Sequence, residues 1–224
     1  MPGKSSTPLR CLGRYGLNTA IRLGYMKFLI HVLSACVVLG CLLIPLAHAD
    51  TSIIIVRHGE KTEQGLGQLS CRGLNRSLAL APVLLSRYGN PVVIYAPNPS
   101  VKKIDKGVSY AYVRPLATIE PLAIRAGLPV NVDFGMDDTI KLAEALLART
   151  EGTQIVAWEH HFAEKLTKQL LTTLEGNPIA VPNWSDTDFD SIYVVHITGS
   201  GKNRHASFAH ENEGLNKLSS DCAQ

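Results

Sequence analysis

The chain has 224 residues, of which 46% are hydrophobic and 18% charged, and this composition is that of a globular protein. Its formal charge of +3 comes from one end. Residues 1–49 hold five basic and no acidic side chains, which leaves 17 basic against 19 acidic groups in residues 50–224. The body therefore lacks the clustered positive charge of a nucleic-acid-binding protein, and we expect no nucleic-acid partner.

Residues 1–49 have the features of a secretory leader. An apolar run over 28–46 follows basic residues and ends in Ala47-His48-Ala49, a small-x-small cleavage pattern. The basic stretch before Met26 is unusually long, whereas a leader that began at Met26 would have ordinary proportions. This favours Met26 as the initiating methionine. We therefore expect a signal peptide over 1–49 and a periplasmic or secreted domain over 50–224.

An uncleaved membrane anchor is the alternative for the apolar run, because about 18 apolar residues can span a bilayer. Contact with a membrane would then be confined to the leader. Cleavage would leave two cysteines, Cys71 and Cys222. In an oxidising compartment they could form one disulfide, and two free thiols are equally compatible with the sequence.

The body begins with a strand and a helix. Residues 52–57 are an unbroken β-branched run, which is typical of a strand buried on both faces of a parallel sheet. The next segment predicts a helix between Ser70, a candidate cap, and Gly89, with an apolar stripe of Leu74, Leu78, Ala81 and Leu85.

Further strands and helices then alternate along the chain. Residues 97–112 are polar and predict a loop, whose lysines Lys102, Lys103 and Lys106 we expect to be solvated. Strands alternating with helices predict an α/β protein with a mainly parallel sheet. We expect strands over 91–95, 128–132, 154–158 and 191–197, and helices over 114–126, from Asp137 or Asp138 to about residue 147, and over 162–174.

Two of the predicted strands end in histidine. His58 follows the first strand, and His160 and His161 follow the strand over 154–158. Ligands of such sheets bind beyond the carboxyl ends of the strands, so both ends would bring an imidazole to the same edge.

Four blocks carry a resemblance to a known family. Arg57-His58-Gly59-Glu60 resembles the signature of the histidine phosphatase (phosphoglycerate-mutase-like) superfamily. In the same order, residues 69–76, 114–123 and 155–160 are similar to the family's first helix start, its R-x-x-Q-T-A-E-P-L-A segment and the strand before its second histidine. The resemblance covers residues 52–175 and implies a three-layer α/β/α, phosphoglycerate-mutase-like fold.

The resemblance also implies an activity. It implies a metal-independent hydrolase without a cofactor that cleaves a small phosphomonoester substrate through a phosphohistidine. It assigns His58 as the nucleophile and Arg57, Arg114 and His160 as the groups that bind the phosphate. About fifteen extra residues precede Arg114, a departure that concerns the rim of the substrate site.

The chemistry of these residues is consistent with that role. A neutral imidazole is a good nucleophile near pH 7, so His58 could attack phosphorus. Guanidinium groups match phosphate oxygens better than ammonium groups do, which suits Arg57 and Arg114. Arginine and histidine supply all the positive charge, so this chemistry requires no metal.

Several assignments have alternatives. An idle phosphate-ligand-binding envelope protein and a phosphoryl mutase are the competing functions. The two histidines argue against the first, and the leader argues against the second. His161 is the competing second histidine, and Arg76 is expected to be a surface or packing residue. The leaving-group acid stays open between four residues: Glu60, Asp137, Asp138 and Glu159.

Overall fold

The computed structural model describes residues 50–223, and the predicted leader lies outside them. The described part holds ten strands and four α-helices. The strands are β1 (Thr51–Arg57), β2 (Lys61–Thr62), β3 (Gly65–Leu69), β4 (Val93–Tyr95), β5 (Lys102–Asp105), β6 (Val108–Ala111), β7 (Val130–Asn131), β8 (Gly152–Trp158), β9 (Ser191–Thr198) and β10 (His205–Asn212). The helices are α1 (Cys71–Tyr88), α2 (Arg114–Ala126), α3 (Thr139–Ala148) and α4 (His160–Thr173).

Six of the strands form a central sheet in the order β10-β9-β1-β8-β4-β7. The pairs β1–β8, β8–β4 and β4–β7 are parallel, whereas β9 runs antiparallel to β1 and to β10. The predicted mainly parallel α/β sheet is therefore confirmed, and its antiparallel strand lies beside β1.

Helices cover both faces of this sheet, which confirms the predicted three layers. In β1, Ile54 and Val56 join the core beneath α1 and α2, whereas Ile53 and Ile55 join the core beneath α3 and α4. Both faces of the strand are thus buried, and this explains its unbroken β-branched run. Among residues 50–223, no helix has the length and apolar character that a membrane crossing requires.

The buried face of α1 differs from the predicted stripe. The predicted cap and end are correct, because the Ser70 side chain accepts a hydrogen bond from the Gly73 amide and Gly89 ends the helix. However, Leu74 and Leu78 are exposed, whereas Arg76 is fully buried. The buried face is therefore rotated about the helix axis relative to the predicted stripe, because the first turn of α1 packs against the polar segment that follows β1 and not against an apolar surface.

The segment before Arg114 is a β-hairpin, and the prediction of a loop was wrong. Strands β5 and β6 pair in register, and Lys106 and Gly107 turn between them with φ values of 51° and 83°. Two positive φ values define the tight turn typical of hairpins, which usually contains Asn-Gly or Asp-Gly rather than Lys-Gly. The alternation along β5 directs Lys103 and Asp105 inward and leaves Lys102 exposed.

The end of the chain is fastened to the first turns of α1. Cys71 forms a disulfide with Cys222, and the Asn75 side-chain amide donates to the carbonyl of Asp221 at 2.7 Å. Of the two alternatives that the sequence left open for these cysteines, the structure thus has the disulfide. The terminal segment therefore lies along the helix that packs against the loop after β1.

Arg76 is the centre of a buried charge cluster between these segments. Its guanidinium donates to Glu60 at 2.8 and 3.0 Å and to Glu213 at 2.5 Å, and it lies 3.4 Å from Asp190. One cation thus faces three carboxyl groups. Burial raises the pKa of Glu213 to about 8 against the opposing attraction of Arg76, and the charges of Asp190 and Glu60 raise it further.

Replacement of Glu213 tests this cluster through its pH dependence. A folded-state pKa of about 8 lies above the ordinary value of 4.5. The stability that the protonated carboxyl contributes is therefore complete below the ordinary value and is lost as the pH rises through about 8. We expect the unfolding free energy of wild type, relative to Glu213→Gln, to fall by more than about 1 kcal/mol between about pH 5 and pH 9.

Urea titrations at several pH values, with the disulfide intact, would measure this difference. Glu120→Gln is the matched control, because Glu120 is exposed on α2. Parallel stability curves for wild type and Glu213→Gln would show that Glu213 does not titrate in this range.

Candidate active site

The pairing of β1 with β8 brings the two predicted strand ends to the same edge of the sheet. The parallel register places Arg57 opposite Trp158, and the His58 amide donates to the Trp158 carbonyl at 3.1 Å. His58 and His160 therefore leave the sheet from neighbouring strands. This is the edge at which ligands of parallel sheets bind.

His58 is held as a neutral imidazole with one nitrogen available. The side chain is buried, and its Nδ1 lies 2.7 Å from the Gly59 carbonyl oxygen. Because a carbonyl only accepts, Nδ1 carries the hydrogen and Nε2 keeps the lone pair. Burial lowers the pKa of His58 well below its usual value; the Gly59 hydrogen bond opposes this, and the charges of Arg114 and Arg57 add to it.

The loop after His58 is fixed by two close contacts. A Cβ on Gly59 would lie 2.8 Å from the carbonyl oxygen of Gly73 in α1, so a side chain would push the loop off the helix. The Gly59 amide donates to the Thr118 hydroxyl at 2.9 Å, and this hydroxyl donates to the Arg114 carbonyl. Gly59 therefore allows the loop to lie in direct contact with α1.

Arg57 is anchored by backbone carbonyls of the loop that precedes β9. Its Nη1 donates to the carbonyls of Ser185, Asp186 and Asp188 at 3.1, 2.9 and 2.6 Å. The guanidinium lies 3.8 Å from the centre of the Phe189 ring. These contacts hold Arg57 without neutralising it, because carbonyls and a ring face carry no formal charge.

Arg114 is anchored by the hairpin. Its Nη1 forms an ion pair with Asp105 of β5, and its guanidinium lies 5.1 Å from the ring of Tyr112. Tyr112 is buried, and its ring centre is 5.9 Å from that of His58. The extra residues before Arg114 thus supply a carboxylate and an aromatic side chain to the site.

The second histidine lies between two carboxylates. His160 Nε2 is 2.6 Å from Asp186 Oδ1, and Nδ1 is 3.0 Å from Glu159 Oε1. The Nδ1 contact has the distance of an ion pair but is misdirected for a hydrogen bond. The side chain of His161 is 65% exposed and stacks on the His160 ring at 3.9 Å. The geometry therefore favours His160 over His161 as the residue that faces a ligand.

Glu159 carries a negative charge beneath His160. It caps α4 by accepting hydrogen bonds from the amides of His161 and Phe162 at 3.0 and 3.2 Å, and Lys103 Nζ lies 3.6 Å from its other oxygen. Burial opposes ionisation, but His160 and Lys103 outweigh it and hold the pKa of Glu159 at about 2. Lys103 is therefore directed into the site, and the prediction that all three hairpin lysines are solvated was wrong for this one.

Several buried polar atoms of this region have no hydrogen-bond partner among residues 50–223. They are Arg57 Nε, Arg114 Nε, the Tyr112 hydroxyl and His160 Nδ1. A buried donor without a partner costs about 1–3 kcal/mol. Two of these atoms belong to guanidinium groups in the neighbourhood of His58, and guanidinium donors are the groups that suit an oxyanion.

A metal ion is the other ligand to be considered. Glu159, His160 and His161 could each offer one ligand atom, and these atoms lie within 4.8 Å of one another. However, Lys103 already places a cation 3.6 Å from the Glu159 carboxylate, and the side chain of His161 is largely exposed. We assign no metal to these residues.

Sequence reasoning missed the residues that complete the site. Asp105, Tyr112, Asp186 and Phe189 lie in segments without a recognisable motif, and each contacts or adjoins one of the predicted residues. The sequence of β5 did not indicate that Asp105 is directed inward, because the apolar residue of this strand, Ile104, is the exposed one.

Comparison with known proteins gave similarities to solved structures alone: no family model matches the chain, and no curated protein does. The mycobacterial glucosyl-3-phosphoglycerate phosphatase, solved with inorganic phosphate, is 17% identical, with 71% of this chain and 95% of that chain covered and a TM-score of 0.44. The phosphoserine phosphatase of Entamoeba histolytica is 14% identical, with 74% of this chain and 98% of that chain covered and a TM-score of 0.45. A candidate phosphohistidine phosphatase, SixA of Nakamurella multipartitia, is 12% identical, with 72% of this chain and 95% of that chain covered and a TM-score of 0.46. Likeness at this level assigns no activity, which has to be inferred from the site itself.

Arg114 gives a direct test of oxyanion binding. Arg114→Ala should weaken the binding of inorganic phosphate by about 10–100-fold, since hydrogen bonds to charged groups contribute about 1.5–3 kcal/mol. Arg114→Lys should recover part of this loss, because an ammonium group cannot supply two parallel hydrogen bonds. Isothermal titration calorimetry would measure the affinities.

Two neighbouring lysines provide the control for this measurement. Lys102 is exposed and Lys103 reaches Glu159, so Lys102→Ala should leave phosphate affinity unchanged and Lys103→Ala should lower it modestly. If Lys102→Ala weakened binding as much as Arg114→Ala, the measured affinity would reflect general surface charge and not this site.

Proposed function

We propose that this protein is a phosphatase of the histidine phosphatase superfamily that hydrolyses a phosphomonoester through a phosphohistidine on His58. The observation that carries the proposal is the state of His58: a buried ring whose pKa is lowered, whose Nδ1 is bonded to the Gly59 carbonyl, and whose Nε2 lone pair has no hydrogen-bond partner among residues 50–223. A ring held in this way can act as a nucleophile, whereas a residue that merely binds an anion would have to donate a hydrogen bond to it, and Nε2 has no hydrogen to donate.

The surrounding groups match the charge that develops in such a reaction. In the transition state negative charge spreads over the three oxygens of the transferring phosphoryl group. Arg57 and Arg114 each present a buried Nε–H without a partner among the described residues, and His160 lies on the adjacent strand end. Fixed donors of this kind stabilise the charge without having to reorganise.

The reaction can be written with the residues of this chain. His58 Nε2 attacks phosphorus, and the phosphorus–oxygen bond to the leaving alcohol breaks. The phosphorylated ring keeps its Nδ1 hydrogen on the Gly59 carbonyl, which stabilises the positive charge that the ring acquires. Water then attacks phosphorus, the phosphorus–nitrogen bond breaks, and phosphate leaves. These steps use the cationic side chains of the site, and we propose that they need no metal.

Replacement of the nucleophile tests the proposal. His58→Ala should abolish phosphate release from a screen of phosphomonoesters, and wild type quenched during turnover should carry a phosphoryl group that is acid-labile and base-stable. Residues 50–224 would be assayed with and without a chelator, and His205→Ala, an exposed histidine on β10, is the control.

Two outcomes would contradict the phosphatase assignment. Normal phosphorylation of a cooperatively folded His58→Ala would remove His58 from the mechanism. Tight phosphate binding by wild type with no turnover of any ester would favour the idle ligand-binding protein instead.

We also propose that the protein acts outside the cytoplasm. The predicted leader over 1–49 supports this, and so does the disulfide between Cys71 and Cys222, because such bonds persist in oxidising compartments. Expression of the full chain should give a mature N-terminus at Asp50 in the soluble envelope fraction, read by N-terminal sequencing. Retention of residues 28–46 in the membrane fraction would instead support an anchor.

A further inference from the structure

The proposed reaction still needs a group that protonates the leaving alcohol. When the phosphorus–oxygen bond breaks, an alkoxide forms unless a proton reaches its oxygen at the same time. Two of the four carboxyl groups that the sequence offers for this role are committed elsewhere. Glu60 is bound by Arg76, and Glu159 is buried with a pKa of about 2 and caps α4.

The remaining two candidates lie at the start of α3. Asp138 accepts a hydrogen bond from the Gly135 amide at 3.0 Å and forms an ion pair with Lys141 at 3.1 Å. Asp137 is exposed beside it. In the described part of the chain, neither forms a hydrogen bond or an ion pair with His58, His160 or the two arginines. None of the four is thus placed as a proton donor.

Asp186 is placed differently from all four. Its carboxylate lies 2.6 Å from His160 Nε2, so it occupies the position to which this ring would donate when a phosphoryl oxygen is bound. Its backbone carbonyl accepts a hydrogen bond from Arg57 Nη1 at 2.9 Å. The main chain of Asp186 is therefore fixed by one phosphate-binding residue while its side chain touches another.

A cavity adjoins Asp186 on its outer side. It has a volume of about 440 Å³, and Lys61, Arg72, Phe189 and Asn216 line it together with Asp186. Asp186 thus contacts His160, which we expect to face the phosphoryl group, and it also lines a cavity that has room for a leaving alcohol. A leaving-group acid has to lie within hydrogen-bond reach of the bridging oxygen.

We propose that Asp186 is the general acid that protonates the leaving alcohol, an assignment that rests on the phosphatase function proposed above. As His58 Nε2 bonds to phosphorus, the bond from phosphorus to the bridging oxygen breaks, and the Asp186 carboxyl proton moves to that oxygen. The alcohol leaves neutral and Asp186 becomes a carboxylate. In the second half of the reaction this carboxylate takes a proton from the attacking water, and both groups return to their initial states.

The exposure of Asp186 explains how it acquires the proton. In the free protein, the hydrogen bond from His160 lowers the pKa of this carboxyl group, and its side chain is 81% exposed. A bound phosphoryl group would take over the hydrogen bond from His160 and place negative charge beside Asp186. Both changes favour the protonated acid, and solvent supplies the proton directly to an exposed side chain.

The dependence on the leaving group separates this role from a structural one. Asp186→Asn keeps an oxygen that accepts from His160 but has no proton to transfer. For an alkyl phosphate such as glycerol 2-phosphate, whose alkoxide must be protonated, kcat/KM should fall by about 10²–10⁴-fold. For 4-nitrophenyl phosphate, whose phenolate leaves without a proton, kcat/KM should change by no more than about threefold. The ratio kcat/KM reports the steps up to release of the alcohol and is independent of the hydrolysis of phosphohistidine.

Asp137→Asn is the matched control, and it should leave kcat/KM unchanged for both esters. Equal losses for the two esters in Asp186→Asn would overturn the proposal and make Asp186 a positioning residue for His160. No loss for either ester would overturn it as well. If wild type released no phosphate from either ester and formed no phosphohistidine, the phosphatase function itself would fail, and the acid assignment with it.

Discussion

The parallel pairing of β1 with β8 is the constraint on which the rest of the site depends. It is a backbone ladder seven residues long, and it ends with Arg57 opposite Trp158. Each strand then releases its next residues at the same edge, so that two histidines about a hundred residues apart in sequence become neighbours in space. Both strands are buried on both faces, which fixes their register, because a shift by one residue would exchange the two cores.

Burial of several like charges at this edge creates a second constraint. Arg57, Arg114 and Lys103 would repel one another and destabilise the fold if they were desolvated alone. The protein offsets these charges unequally. Asp105 pairs with Arg114 and Glu159 lies near Lys103, whereas Arg57 has neutral partners, namely three carbonyl oxygens and a ring face. Arg57 is therefore the cation of this group whose contacting partners carry no formal charge, while all three cations have contacts that hold them in place.

The sequence predicts the parts of this arrangement that depend on local patterns. The buried strand over 52–57, the helix over 114–126 and the strand-end histidines follow from side-chain periodicity and from motif spacing, and the structure has these elements at nearly the same bounds. The hairpin before Arg114 was missed because Lys-Gly is a weak turn signal, and Asp105 with it. The burial of Arg76 could not be predicted, because its partners Glu213 and Asp190 lie more than a hundred residues away in sequence.

The same cluster connects the end of the chain to the loop that follows β1, because Arg76 binds both Glu213 and Glu60. Gly59 and Gly73 let the loop after His58 lie directly against the first turn of α1, and Arg76, one turn further on, holds Glu60 of that loop. The opposite side of this turn carries the disulfide and the terminal segment. The position of the helix start, and through Glu60 that of the loop beside the proposed nucleophile, is thus fixed from both sides. The nucleophile that we propose, His58, has to be held to within a fraction of an ångström of its productive position, and the disulfide at Cys71 adds a covalent constraint to the helix against which its loop packs.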